Sequence, residues 1–110
     1  LFARRSAVDE VVVNDGAKLL AALANDKRLQ ILQIIARKET AVSDLAKQVG
    51  LSQSALSQQL AKLKANDFVA TRREGQNIFY STTHPGVCGM LETLEELYTA
   101  ETPTPAYRTA

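Results

Sequence analysis

The run from Ser52 to Lys64, SQSALSQQLAKLK, offers hydroxyls, carboxamides and ammonium groups and no carboxylate. Wound into a helix of 3.6 residues per turn, it gathers Leu56, Leu60 and Leu63 on one side as a core stripe. The other side carries Ser54, Gln58 and Ala61, bordered by Ser57 and Lys62, while Ser52 and Gln53 project from the N-terminal end. Side chains that both donate and accept, with nothing to repel phosphate, suit the reading of base edges. A solvated face is the plain alternative, but such faces usually mix Glu with Lys, and here Lys stands alone.

What must position this face is a pair of helices. From Ser43 the chain reads as a short helix ending at Gly50, where a left-handed backbone is cheapest for glycine. Ser52 can cap the next helix by accepting from its first free N–H groups. Ala46, one turn before Gly50, is small enough for the two helices to cross closely. Together they read as a helix-turn-helix.

Beyond Lys64 the period changes. Ala65-Asn66-Asp67 ends the helix, with Asn66 suited to a left-handed cap. The β-prone runs 68–73 and 78–81 flank Glu74-Gly75-Gln76-Asn77, where Gly75 can supply the positive φ of a hairpin turn. A hairpin directly behind a helix-turn-helix reads as a wing, and Arg72 and Arg73 near its tip can reach phosphates or the minor groove. The alternative is an edge hairpin blunted with charge.

Upstream, residues 1–8 read as a loose arm. Val13, Ala17, Leu20, Leu23 and Ala24 are spaced as a helix, which Gly16 weakens. Asn25 caps a second helix, 27–37, whose Leu29, Ile31, Leu32, Ile34 and Ile35 cover more than half its circumference and mark the centre of the core. Residues 37–40 form a link. Pro85 opens a last helix to about residue 99, with Val87, Met90, Leu91, Leu94, Leu97 and Tyr98 on its apolar side. One small domain has little room to cover this stripe and that of the first helix, so both are expected to pack on a second copy. The tail 100–110, with Pro103 and Pro105, is expected to be disordered.

Composition sets bounds. The chain has 110 residues, 45% apolar and 23% charged, with a net charge of +1, which fits one soluble globular domain, mainly α with a β-hairpin wing by the elements read above. With no bulk basicity, a nucleic-acid reading rests on charge placement. Lys47, Lys62, Lys64, Arg72 and Arg73 face only Asp67 and Glu74 between residues 47 and 80, whereas residues 84–101 hold Glu92, Glu95, Glu96 and Glu101 and no base. A single cysteine, Cys88, excludes an internal disulfide and fits a reducing compartment. No apolar run approaches the ~20 residues that span a bilayer. Arg4 and Arg5 precede no apolar stretch, so no signal peptide is expected, and the start without Met reads as that of a fragment or trimmed chain.

Helix, helix, helix-turn-helix, wing and last helix in this order resemble the ArsR/SmtB family of winged-helix repressors. The likeness spans about Leu19 to Tyr98 and is carried by LAALANDKRLQIL (20–32), VSDLAKQVGLSQSALSQQLAKL (42–63) and TRREGQNIFYS (71–81). It implies a cytoplasmic homodimer that binds a roughly palindromic operator and blocks transcription, with recognition helices entering successive major grooves about 34 Å apart. It also implies that Gln53, Ser54, Ser57 and Gln58 face the groove. Ser52 joins them from the helix end; Lys47, Lys62, Lys64, Arg72, Arg73 and Gln76 would serve phosphate and wing contacts.

The chain departs from the sensing members of the family. Where some place cysteines before the turn, it has Ala41-Val42-Ser43-Asp44; Gly86 and Leu97 fall at or near two positions of a zinc site between the last helices; and Gln33 and Thr99 stand where dithiol members have cysteines. Gln59 replaces a frequent His. No metal or cofactor is expected. His84, Cys88 and Glu92 follow one another at four-residue spacing, but zinc favours three or four ligands and His84 precedes Pro85, where it would cap. Cys88 is thus a packing residue or a single-thiol redox or persulfide sensor. A winged-helix protein-docking module is a second alternative. An enzyme is not expected from one His, one Cys, no phosphate loop and no paired carboxylates, and no small-molecule substrate is identified.

Overall fold

The computed structural model describes residues 8–99, so the expected arm up to residue 7 and the tail from residue 100 lie outside the described residues. Helix α1, Glu10–Leu23, starts where the Asp9 carboxylate accepts from the N–H groups of Val11 and Val12. Asn25 accepts from the Arg28 N–H and starts α2, Asp26–Arg37. That helix is the centre of the core, as its breadth of apolar residues requires: Ile31, Leu32 and Ile35 are at most 1% exposed.

The helix-turn-helix follows as α3, Val42–Val49, and α4, Gln53–Ala65. Gly50 between them has φ 68°, the left-handed conformation that a β-carbon disfavours. The Lys27 Nζ donates to the Val49 carbonyl at 2.7 Å and so closes the end of α3. Leu45, Ala46 and Val49 of α3 meet Leu56, Leu60 and Leu63 of α4 in the core, all buried.

The end of α4 departs by one residue from the sequence expectation. Asn66 keeps a negative φ and donates its carboxamide N–H to the Lys62 carbonyl, while Asp67 takes the left-handed position at φ 59°. The Asp67 N–H then reaches the Lys64 carbonyl and the Phe68 N–H the Leu63 carbonyl, which satisfies two carbonyls of the last turn. Phe68 thereby swings into the core beside Leu63.

Strands β2, Ala70–Glu74, and β3, Asn77–Ser81, form the hairpin, with Glu74 opposite Asn77 and a tight Gly75-Gln76 turn. The link after α2 holds a strand that the sequence did not announce. Thr40–Ala41 is β1 and pairs antiparallel with Tyr80 and Phe79, giving the sheet order β1-β3-β2. Two residues are too few for a period, but Thr40 is buried and its hydroxyl donates to the Lys38 carbonyl.

Helix α5, Pro85–Tyr98, is capped by His84, whose Nδ1 accepts from the Gly86 and Val87 N–H groups. That use of Nδ1 leaves the ring proton on Nε2. Buried Thr82 donates to the Phe68 carbonyl at 2.7 Å and accepts from the His84 N–H, and the His84 ring meets Phe68 edge-on at 5.1 Å. Gly86 lies where α5 meets α1: a β-carbon there would come within 3.0 Å of Leu19.

Candidate nucleic-acid interface

The carboxylate-free side of α4 faces outward. Gln53, Ser54, Ser57, Gln58 and Ala61 are exposed, and Leu56, Leu60 and Leu63 point the other way into the core. Ser52 caps the helix by accepting from the Ala55 N–H at 3.2 Å, and its hydroxyl lies 3.3 Å from that of Ser54. The hydroxyl of Ser52 therefore works first for the helix end. Lys62 and Lys64 stand exposed on the last turn, where cations complement the helix dipole, and Lys47 is exposed on α3.

Gln59 is not an idle flank residue. Its Oε1 accepts from Arg28 Nη1 at 2.9 Å, while Arg28 Nε and Nη2 donate to the Ala22 and Ala21 carbonyls at 2.8 and 3.0 Å. One guanidinium from α2 thus joins the end of α1 to the outer helix of the helix-turn-helix. Only the long span between partners hid this from sequence reasoning.

On the wing the two arginines part company. Arg73 and Gln76 are exposed near the tip, and Arg73 has no ion pair among the described residues. Arg72, expected to be a free phosphate ligand like Arg73, is engaged within the protein. Its Nε and Nη2 bind Glu39 at 2.8–3.1 Å, its Nη1 binds Glu74 at 2.6 Å, and its guanidinium carbon lies 4.5 Å from the centre of the Phe79 ring. Hydrogen bonds from Arg72 hold the Glu39 carboxyl below the usual carboxylate range, and those to Glu39 and Glu74 push the guanidinium further up. Burial raises the Tyr80 hydroxyl on β3.

Apart from these side chains, apolar residues of α1, Val8 before it and Tyr98 at the end of α5 are exposed. Val8, Val11, Val12, Val13, Leu20 and Tyr98 are each more than half exposed. The face of α5 that holds Val87 and Leu91 is buried, whereas Cys88 is half-buried and Glu92 exposed. His84 spends its Nδ1 on the helix cap, and among the described residues no three His, Cys, Asp or Glu side chains gather as metal ligands would.

The pattern described as "Bacterial regulatory protein, arsR family" matches residues 25–71, from the Asn25 cap to the first residues of the wing. The nodulation protein NolR of Rhizobium meliloti is 49% identical over 86 residues, covering 78% of this chain and 70% of that protein. The chain belongs to the arsR family of bacterial regulatory proteins. The transcriptional activator HlyU of Vibrio cholerae is 46% identical over 80 residues, 73% of this chain and 74% of that protein. The crystal structure of NolR from Sinorhizobium fredii superposes with a TM-score of 0.78 at 46% identity, over 86% of this chain and 94% of that one. A homodimeric winged helix-turn-helix DNA-binding domain, Mb0332 of Mycobacterium bovis, gives a TM-score of 0.71 at 31% identity, over 84% and 86% of the two chains.

For an arsR-family regulator of transcription this fold is the winged helix-turn-helix, with a third strand, β1, that ties the wing to the body. The stretch 41–44 that replaces the cysteines of metal sensors spans the end of β1 and the first turn of α3. Gly86 is taken up by the α1–α5 contact. No helix among the described residues is long and apolar enough to cross a membrane.

Proposed function

We propose that two copies of this chain pair through α1 and α5 and bind a roughly palindromic operator in duplex DNA, most simply as a cytoplasmic repressor. Each copy would lay α4 in a major groove, the two about one helical turn, ~34 Å, apart. Gln53, Ser54, Ser57 and Gln58 would read base edges, with Ser52 at the helix end. Lys47, Lys62, Lys64, Arg73 and Gln76 would hold the backbone.

The observation that carries this reading is the outward face of α4, polar, exposed and without a carboxylate. The exposed valines of α1 and Tyr98 of α5 support the pairing, since a monomer leaves them in water. Mb0332, a relative of similar fold, is homodimeric and DNA-binding. Selection of binding sites from a random duplex pool tests the proposal: enrichment of a two-fold symmetric site supports it, and no enrichment defeats it. The same selection with oxidant, persulfide or zinc, repeated on Cys88→Ser, separates a thiol sensor from a regulator governed by its own abundance.

A further inference from the structure

Arg72 starts on β2, lies over Phe79 on β3 and ends on Glu39, the residue before β1. With the strand order β1-β3-β2, its side chain crosses the whole sheet. Besides that crossing, the hairpin meets the body of the domain through its pairing with the two residues of β1 and through Tyr80, which packs against the core. A planar fork held by a bidentate carboxylate and stacked on a ring fixes orientation as well as distance. Its surroundings also suit a phosphate poorly. Two carboxylates, Glu39 and Glu74, occupy its Nε, Nη1 and Nη2, and their combined charge exceeds that of the guanidinium.

We propose that Arg72 is a positioning residue, a clamp that sets the wing against the helix-turn-helix, and that contact with the DNA backbone at the wing falls to Arg73 and Gln76. This rests on the DNA-binding reading above. In that division of labour, Glu39 belongs to the same device although it lies before the helix-turn-helix and carries the charge that DNA repels.

The test measures affinity of the full chain and its variants for the selected duplex as a function of salt. Each phosphate contact contributes about 0.9 to the slope of log K against log salt. Arg73→Gln should therefore flatten the slope of a dimer by about 1.8. Arg72→Gln should weaken binding by the same factor at every salt concentration and leave the slope unchanged. Arg72→Lys should behave like Arg72→Gln, because an ammonium serves a phosphate but cannot span Glu39, Glu74 and the Phe79 ring. Adding Glu39→Gln to Arg72→Gln should cost nothing more. The proposal is overturned if Arg72→Lys binds like the unaltered chain, if Arg72→Gln flattens the slope, or if Glu39→Gln alone tightens binding and steepens it by releasing a phosphate ligand. Salt-independent behaviour of the unaltered chain would overturn both this and the DNA reading, whereas the other outcomes overturn the clamp alone.

Discussion

Replacing Arg28 by Met keeps a flexible stem of similar reach and removes a guanidinium that joins three helices. Its three hydrogen bonds run to the Ala21 and Ala22 carbonyls and to Gln59 Oε1, at 2.8–3.0 Å. Bonds to charged groups contribute about 1.5–3 kcal/mol each, but Arg28 is only half-buried and water can replace part of the loss. A net of about 1 kcal/mol per bond gives a destabilisation of about 2–3 kcal/mol. For a domain of this size that lowers the melting temperature by roughly 10–20 °C. Circular dichroism melts at fixed protomer concentration would read it, since pairing of copies makes the midpoint depend on concentration. Gln59→Ala should show only about a third of the effect, and Arg28→Lys should recover little, because one ammonium cannot reach three acceptors in a fork. A loss below about 0.5 kcal/mol, within the range of ordinary surface changes, would refute the view that Arg28 braces α4.

Gln58→Ala should relax preference at one base pair of the selected site by about 1–3 kcal/mol; uniform weakening across all duplexes would assign Gln58 to the backbone instead. If a dimer neutralises ~6–10 phosphates, affinity should fall about 10³–10⁵-fold between 50 and 200 mM salt, which titrations by fluorescence anisotropy would show. Thr82→Val leaves the Phe68 carbonyl unpaired in the core and should cost about 1–3 kcal/mol in urea unfolding, without altering the α4 face. Asp67→Gly should stabilise the fold by about 0.5–1 kcal/mol, because its φ of 59° suits glycine better. Since Arg72 depresses the Glu39 pKa in the folded state, the stabilisation from the pair is present above the ordinary carboxylate value and lost as pH falls through the depressed one. NMR titration of the Glu39 carboxyl should therefore place its midpoint below that of an unpaired glutamate, and Arg72→Gln should move it back up.

Features set by neighbours in the chain were legible before any coordinates. The leucine stripe of α4, the Gly50 turn, the Asn25 and His84 caps and the Gly75 hairpin each need only a few residues of context. Of the two stripes expected to lie uncovered, Val13 and Leu20 of α1 and Tyr98 of α5 are exposed, whereas Val87 and Leu91 of α5 are buried in the core. The end of α4 was misplaced by one residue because Asn66 and Asp67 both tolerate the left-handed region, and the choice depended on Phe68 turning into the core. Strand β1 left no period to detect. The Arg72–Glu39 and Arg28–Gln59 contacts join residues 33 and 31 positions apart, and no local pattern announces such a pair. A free cation and one enclosed by two carboxylates look the same in a sequence.

In the proposed pairing, the valines on the first half of α1 would tie the regulator's output to its supply. Val11, Val12 and Val13 are 54–68% exposed, and in the proposed pairing each molecule dries them only when it meets another. While single chains predominate, the number of pairs rises with the square of their concentration, so a halving of synthesis would leave a quarter of the operator-competent species. Dilution during growth would then release a promoter more sharply than it thins the protein, without any inducer.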